Sequence, residues 1–202
     1  MTRKTLLIGL LSFYTFYISA QKETQEQIDS VAFQALDQRY EGGQKAFFKY
    51  FGQNVRFPQD ARFNCRLGTL LISLKIRPTG GIDSLHFTNA LQLGMGIEDE
   101  VIRCLIGTKG KWIKTTDYTT LSFSIAFCME EDKERPKATM LIVGYGSPSN
   151  CPTYQDIVKA FEKAKKKKNY KEAIGLCEDL LRRRPLSEDY KKELADLKSK
   201  ST

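Results

Sequence analysis

Thr69-Leu70-Leu71-Ile72-Ser73-Leu74-Lys75-Ile76 is followed by Pro78-Thr79-Gly80-Gly81 and then by Ile82-Asp83-Ser84-Leu85-His86-Phe87. Leu70, Ile72, Leu74 and Ile76 fall on one side of an extended chain. Thr69, Ser73 and Lys75 fall on the other, with Leu71 the exception. Side chains alternate across a strand, so a period of two marks one face for a core. The Pro-Thr-Gly-Gly run predicts a turn, and the second strand, Ile82 to Phe87, returns antiparallel as a hairpin.

The same logic extends outward in both directions. Downstream, Glu98, Asp99 and Glu100 place negative charge in the first turn of a helix, where its macrodipole favours it. Ile97, Val101, Cys104 and Leu105 form the stripe that this helix lays on the sheet. Trp112 follows in a loop and reads as a core plug. A third strand alternates Leu121, Phe123, Ile125 and Phe127 inward with Ser122 and Ser124 outward. Upstream, Gly42-Gly43 allows a sharp entry into a helix on which Phe47, Tyr50 and Phe51 share a face. Gly52 reads as its stop. Pro58 holds Phe57 extended, and Arg56 before it reads as solvated or paired to a carboxylate. Residues 21–39 are polar with a few apolar positions, a linker or a short helix. The class is therefore α+β, in the order α-β-β-α-β: a three-stranded antiparallel sheet with two helices on one face.

Taken together, Gly42, Gly43, Asn54, Pro58, Gly94, Gly96, Asp99, Glu100 and Trp112 lie at the order and spacing of a known family. Residues 40–128 resemble the C-terminal domain of TonB, the periplasmic domain that grips outer-membrane transporters. The chain departs from it where Glu41 stands for a proline. It departs again where Lys109-Gly110-Lys111-Trp112-Ile113-Lys114 lacks the loop prolines, and it has no long Pro- and Lys-rich spacer. The resemblance implies a binding module that captures a partner's extended segment by adding it to a sheet edge. By that analogy the capture edge is the third strand: Leu121, Ser122, Phe123, Ser124, Ile125, Ala126 and Phe127. The implied partner is a TonB-dependent outer-membrane transporter or another TonB-like protein, and a homodimer is compatible with the same edge.

Residues 129–152 read as a linker carrying a short strand, 140–147. Its Leu141, Ile142, Val143, Gly144, Tyr145 and Gly146 are similar to the TonB box of SusC-type transporters. An ordinary strand ending in a glycine turn is the competing reading. A box-like segment could join its own sheet as a fourth strand or offer itself to another TonB-like domain. Beyond Pro152 the chain reads as helical: Ile157, Ala160, Phe161 and Ala164 form one stripe. Tyr170, Ala173, Ile174, Cys177, Leu180 and Leu181 form the next, before Pro185 and a third, polar helix. This tail, 153–202, resembles a single tetratricopeptide repeat. One such repeat is too little to bury its own core, so it is expected to pack on the main domain or on a partner.

The amino terminus sets the expected compartment. Arg3 and Lys4 precede an apolar run from Leu6 to Ile18, and Ser19-Ala20-Gln21 reads as a cleavage site, so residues 1–20 are a signal peptide for the periplasm. Retention of the segment as an anchor is the second reading, and only then would the chain contact a membrane. Cleavage removes Arg3 and Lys4, so the net charge falls from +8 to +6. That excess reads as a solvated basic surface and not as a nucleic-acid footprint, because the chain is exported. Lys165 to Lys168 and Arg182 to Arg184 read as solvated faces, with anionic headgroups as the sharper alternative. Five cysteines follow the cleavage point, an odd number in an oxidising compartment. Cys104 and Cys177 read as buried hydrophobes, while Cys65, Cys128 and Cys151 are the disulfide candidates, their pairing open. With one histidine, His86, and no Cys-x-x-Cys spacing, neither a metal or haem cofactor nor a hydrolytic constellation is expected.

Overall fold

The structure, a computed structural model, describes residues 25–130, 135–145 and 151–201, with side chains from Ala32 onward. The expected signal segment and Gly146 lie outside the described residues. Within them the class is α+β: seven helices and one sheet of four strands.

The hairpin forms where its alternation places it, as β1 (Gly68–Ile76) and β2 (Ile82–Phe87), joined antiparallel. The third expected strand is longer than its inward stripe, β3 (Thr119–Met129), and pairs antiparallel with all of β1. The sheet has four strands and not three. Its fourth, β4 (Met140–Gly144), lies parallel to β3 from Ile125 to Met129, giving the order β2-β1-β3-β4. The physical reason lies in the pattern of β4 itself. Met140 and Ile142 turn inward and extend the core past β3, covering peptide groups that a three-stranded sheet would leave bare.

One face of this sheet carries Leu70, Ile72, Leu74 and Ile76 beside Leu121, Phe123, Ile125 and Phe127, all buried. Helices α1 (Gln25–Arg39), α2 (Gly43–Asn54), α3 (Gln59–Phe63) and α4 (Ile97–Ile106) all add buried side chains to that core. The expectation of two helices is thus exceeded. Residues 25–39 form a full helix because Ala32, Leu36 and Arg39 are buried beside the core, a tertiary reward that weak local amphipathicity does not reveal. Gly52 does not stop α2, which runs two residues further. The glycine has open space around it, and the helix ends where Val55 turns extended. Gly42 and Gly43 do take positive φ, 80° and 69°. A Cβ on Gly43 would sit 2.5 Å from Oδ1 of Asp37, which accepts the Gln44 N–H. Trp112 is a core residue, edge-on to Tyr40 at 5.1 Å, its indole N–H donating to Thr108.

Arg39 closes this half of the molecule. Its side chain is 2% exposed and donates to the carbonyls of Arg77, Ile113 and Asp117 and to the Thr119 hydroxyl. Burial lowers its pKa, with no carboxylate acting against that trend.

Helices α5 (Tyr154–Lys166), α6 (Tyr170–Arg183) and α7 (Glu188–Lys200) form the expected helical tail around their own core of Ile157, Phe161, Cys177, Leu180 and Leu197. Thr153 and Asp156 make a capping box at its entry. The tail packs back on the sheet. Gly68 has no Cβ, which would otherwise meet the Arg182 carbonyl at 2.7 Å. Thr69 donates to the Arg183 carbonyl and Arg182 to that of Gln92. Cys65 and Cys151 form a disulfide across this junction, while Cys104, Cys128 and Cys177 are buried thiols. Burial pushes the Cys104 and Cys177 thiols up to about 11.

Two outcomes are expected in urea denaturation. Arg39→Met should cost about 3 kcal/mol, because several buried carbonyls lose their donor. Cys65→Ser should cost about 4 kcal/mol by releasing a loop of 86 residues, and a non-reducing peptide map should show only the Cys65–Cys151 bridge.

Candidate functional site

The sheet presents two outer edges. Along β2, charge blunts the edge: Arg77 pairs with Asp83 at 2.8 Å, Lys75 lies near the same carboxylate, and the β1–β2 register shifts between Lys75 and Ile76. Such devices discourage strand addition. The opposite edge, formed by β3 and β4, carries no charged residue from Leu141 to Tyr145.

Register decides which peptide groups are available there. The Glu130 N–H donates to the Gly144 carbonyl at 3.1 Å, so Met140, Ile142 and Gly144 turn their backbone groups toward β3. Backbone direction alternates along a strand, so Leu141 and Val143 turn theirs outward. Leu141 is 38% exposed and Tyr145 63%. The Tyr145 carbonyl accepts from Arg62, which closes the end of this edge. Gly144 permits the close packing there: a Cβ would stand 3.0 Å from both the Met129 sulfur and the Phe57 ring.

A second opening lies upstream on β3. The Ser124 N–H donates to Thr139 Oγ1 at 2.9 Å, and the Thr139 N–H donates back to Ser124 Oγ at 2.9 Å. This reciprocal clamp marks where β4 begins. Thr120 and Ser122 share the backbone orientation of Ser124, and no strand among the described residues pairs with them on that side. Both are exposed.

The expected site residues therefore separate by role. Leu121, Phe123, Ile125, Ala126 and Phe127 are buried in the sheet, Ser122 is exposed, and Ser124 is buried in the clamp. The edge expected on Leu121–Phe127 is taken by β4 from Ile125 onward, so the accessible edge moves outward to Leu141 and Val143. Ile142 and Gly144 are buried beside β3, and Gly144 also packs near Phe57 and Arg62. Thr139 and Arg62 were not singled out from sequence: a threonine just before an apolar strand and an arginine in a polar stretch have no spacing that announces these contacts.

The helix start from Gly94 to Glu100 serves structure here. Glu98 accepts the N–H groups of Leu93 and Gly94, and Glu100 accepts the Arg56 N–H and both Arg103 donors. The Arg103 guanidinium thereby holds the Glu100 carboxyl below the usual range. No group of three or more His, Cys, Asp or Glu side chains fit to hold a metal occurs among the described residues. No helix among them is long and apolar enough to cross a membrane. Comparison with family models, with curated proteins and with solved structures finds no match to this chain.

If the Ser124–Thr139 clamp holds β4 in place, Thr139→Val removes one acceptor worth about 1 kcal/mol. Amide hydrogen exchange at Ile142 and Gly144 should then accelerate by about fivefold, while β1–β2 amides stay unchanged.

Proposed function

We propose that this chain is an exported, TonB-like interaction protein that takes up TonB-box-type segments of outer-membrane transporters by strand addition at its β3–β4 edge. It links to TonB-dependent transport through main-chain pairing and performs no chemistry of its own. The observation that carries this reading is the contrast between the two edges. The β2 edge carries Asp83, ion-paired to Arg77 of the following turn and near Lys75 of β1, whereas the β4 edge offers Leu141 and Val143 backbone groups in a run, Leu141 to Tyr145, that holds no charged residue. Uncharged, accessible strand edges are the templates that extended peptides use. Two further features support it: the family-like marks from Gly42 to Trp112, and a disulfide that suits an oxidising compartment.

A second reading is a periplasmic scaffold unrelated to transport. It is favoured by a helical tail that has its own core and is tied to the sheet by a disulfide. That design suits a surface for protein contacts.

Amide shifts of the full chain titrated with a TonB-box peptide separate the two. Strand addition predicts saturable shifts at Thr120, Ser122, Leu141 and Val143, and none with a peptide whose central residue is proline. Shifts confined to α5–α7 would favour the scaffold, and no shift at any edge would defeat the transport reading.

A further inference from the structure

Residues 162–172, the end of α5 and the start of α6, carry six lysines and two glutamates. Ile157, Phe161 and Ala164 turn into the core of the tail, which leaves Lys163, Lys166 and Lys167 together on the outer face of α5. All three are exposed, as are Lys168 in the turn and Lys171 on α6. Lys165 differs: it is half-buried and meets Glu193 at 2.7 Å and Glu162 at 3.7 Å. Glu172 accepts from the Asn169 side-chain amide, and at the end of α7 Lys200 pairs with Asp196. The nearby described carboxylates are thus engaged elsewhere, and none forms an ion pair with the five exposed lysines.

Two of the five stand where local physics prefers another residue. α5 ends in a Schellman turn, in which the Asn169 N–H donates to the Ala164 carbonyl and the Lys168 N–H to that of Lys165. Lys168 holds the left-handed position of this turn, with φ 55°, which glycine fills without strain. Lys171 lies in the first turn of α6, where the macrodipole disfavours a cation. Lysines one turn apart also repel, as Lys163 and Lys167 do. An external anionic surface would relieve all of these terms together.

The cluster stands clear of the sheet. α6 has 14 residues and so runs about 21 Å. Its other end docks on β1, where the Arg183 carbonyl accepts from Thr69. Glu131, Asp132 and Glu134 lie outside the described residues. The described residues flanking them are Glu130, bonded to Gly144 in the sheet, and Arg135, which lines a cavity with Arg183 at that same docked end. The tip itself is a turn between two helices, with residues 166–169 all exposed. Such a shape meets a broad array of charges and does not enclose a single anion. Nucleic acids are gripped by arginine forks and stacked aromatic rings. Residues 162–172 contain no arginine, and their one aromatic, Tyr170, is half-buried.

We propose that the α5–α6 tip docks the protein on an anionic phospholipid bilayer, with Lys163, Lys166, Lys167, Lys168 and Lys171 among the headgroup phosphates. This contact does not depend on strand pairing at the sheet edge.

The test is sedimentation of the full chain with vesicles of phosphatidylglycerol and phosphatidylcholine in equal parts, against vesicles of phosphatidylcholine alone. The mixed vesicles should carry the protein down at low salt and release it as salt rises, while the neutral ones should not bind it. Each lysine near such a surface is worth roughly a factor of five, so Lys166→Gln, Lys167→Gln and Lys168→Gln together should weaken binding by at least about thirtyfold. Lys109→Gln, Lys111→Gln and Lys114→Gln remove the same charge from another exposed stretch and should leave binding within about threefold. A gadolinium-chelating lipid in the mixed vesicles should broaden the Lys166–Lys168 amides and spare those of Ile82–Phe87, a readout that stands even if the tip variant fails to fold. No sedimentation with the mixed vesicles, equal binding to neutral ones, or equal losses in the two triple variants would each overturn the proposal. So would tip-dependent binding of a DNA duplex that is tighter than binding to the mixed vesicles, or broadening that spares the tip.

Discussion

A buried guanidinium solvated by carbonyl dipoles holds the sheet-and-helix half of this molecule together. Arg39 lies at the end of α1, yet its donors reach the turn after β1 and the long connection between α4 and β3. Burying such a charge is costly unless every donor is used. The backbone completes the arrangement: the Ile113 N–H donates to the Arg39 carbonyl, Glu41 donates to Lys111, and Tyr40 bridges to Trp112. Because the same guanidinium touches Asp117 and Thr119, it also fixes where β3 starts. The register of β3 then decides which peptide groups face outward along the edge. A core cation thus governs a surface property several strand positions away.

Much of this was legible because alternation and helical stripes are strong signals. β2 spans the residues expected from its pattern, and the inward stripe of β3 is the one predicted from Leu121 to Phe127. The signals failed where an element owes its existence to tertiary contacts. α1 has a weak stripe and forms because Ala32, Leu36 and Arg39 are buried beside the core. β4 was legible as a strand, but neither its place in the sheet nor its parallel sense is encoded locally. Cysteine pairing was open for the same reason: Cys65 and Cys151 are 86 positions apart, and only the docking of the tail brings them together.

The two faces of the sheet are covered differently in consequence. The first is closed by α1, α2 and α4 around aromatic contacts such as Phe47 with Phe123 and Phe57 with Phe127. Among the described residues the second is closed at the Thr69 end, where Ala126, Ser124 and Cys128 are buried, and Lys75 and Thr120 at the other end are exposed. A partly covered second face leaves room beneath the tail.

The parallel sense of β4 has a kinetic meaning. To run parallel, the chain must leave β3 at Met129 and travel back before entering β4 at Met140. Seven residues beyond Gly144, Cys151 anchors the chain again through its bridge to Cys65. β4 is thus a strand tethered at both ends. Linkers this short keep a segment at an effective concentration on the order of millimolar at its own docking site. Any free strand seeking the same stretch of β3, Ile125 to Met129, must outcompete that local supply, and reduction of Cys65–Cys151 cuts one of the two tethers. Opening that one bridge would therefore lower the local concentration of β4 at its own docking site.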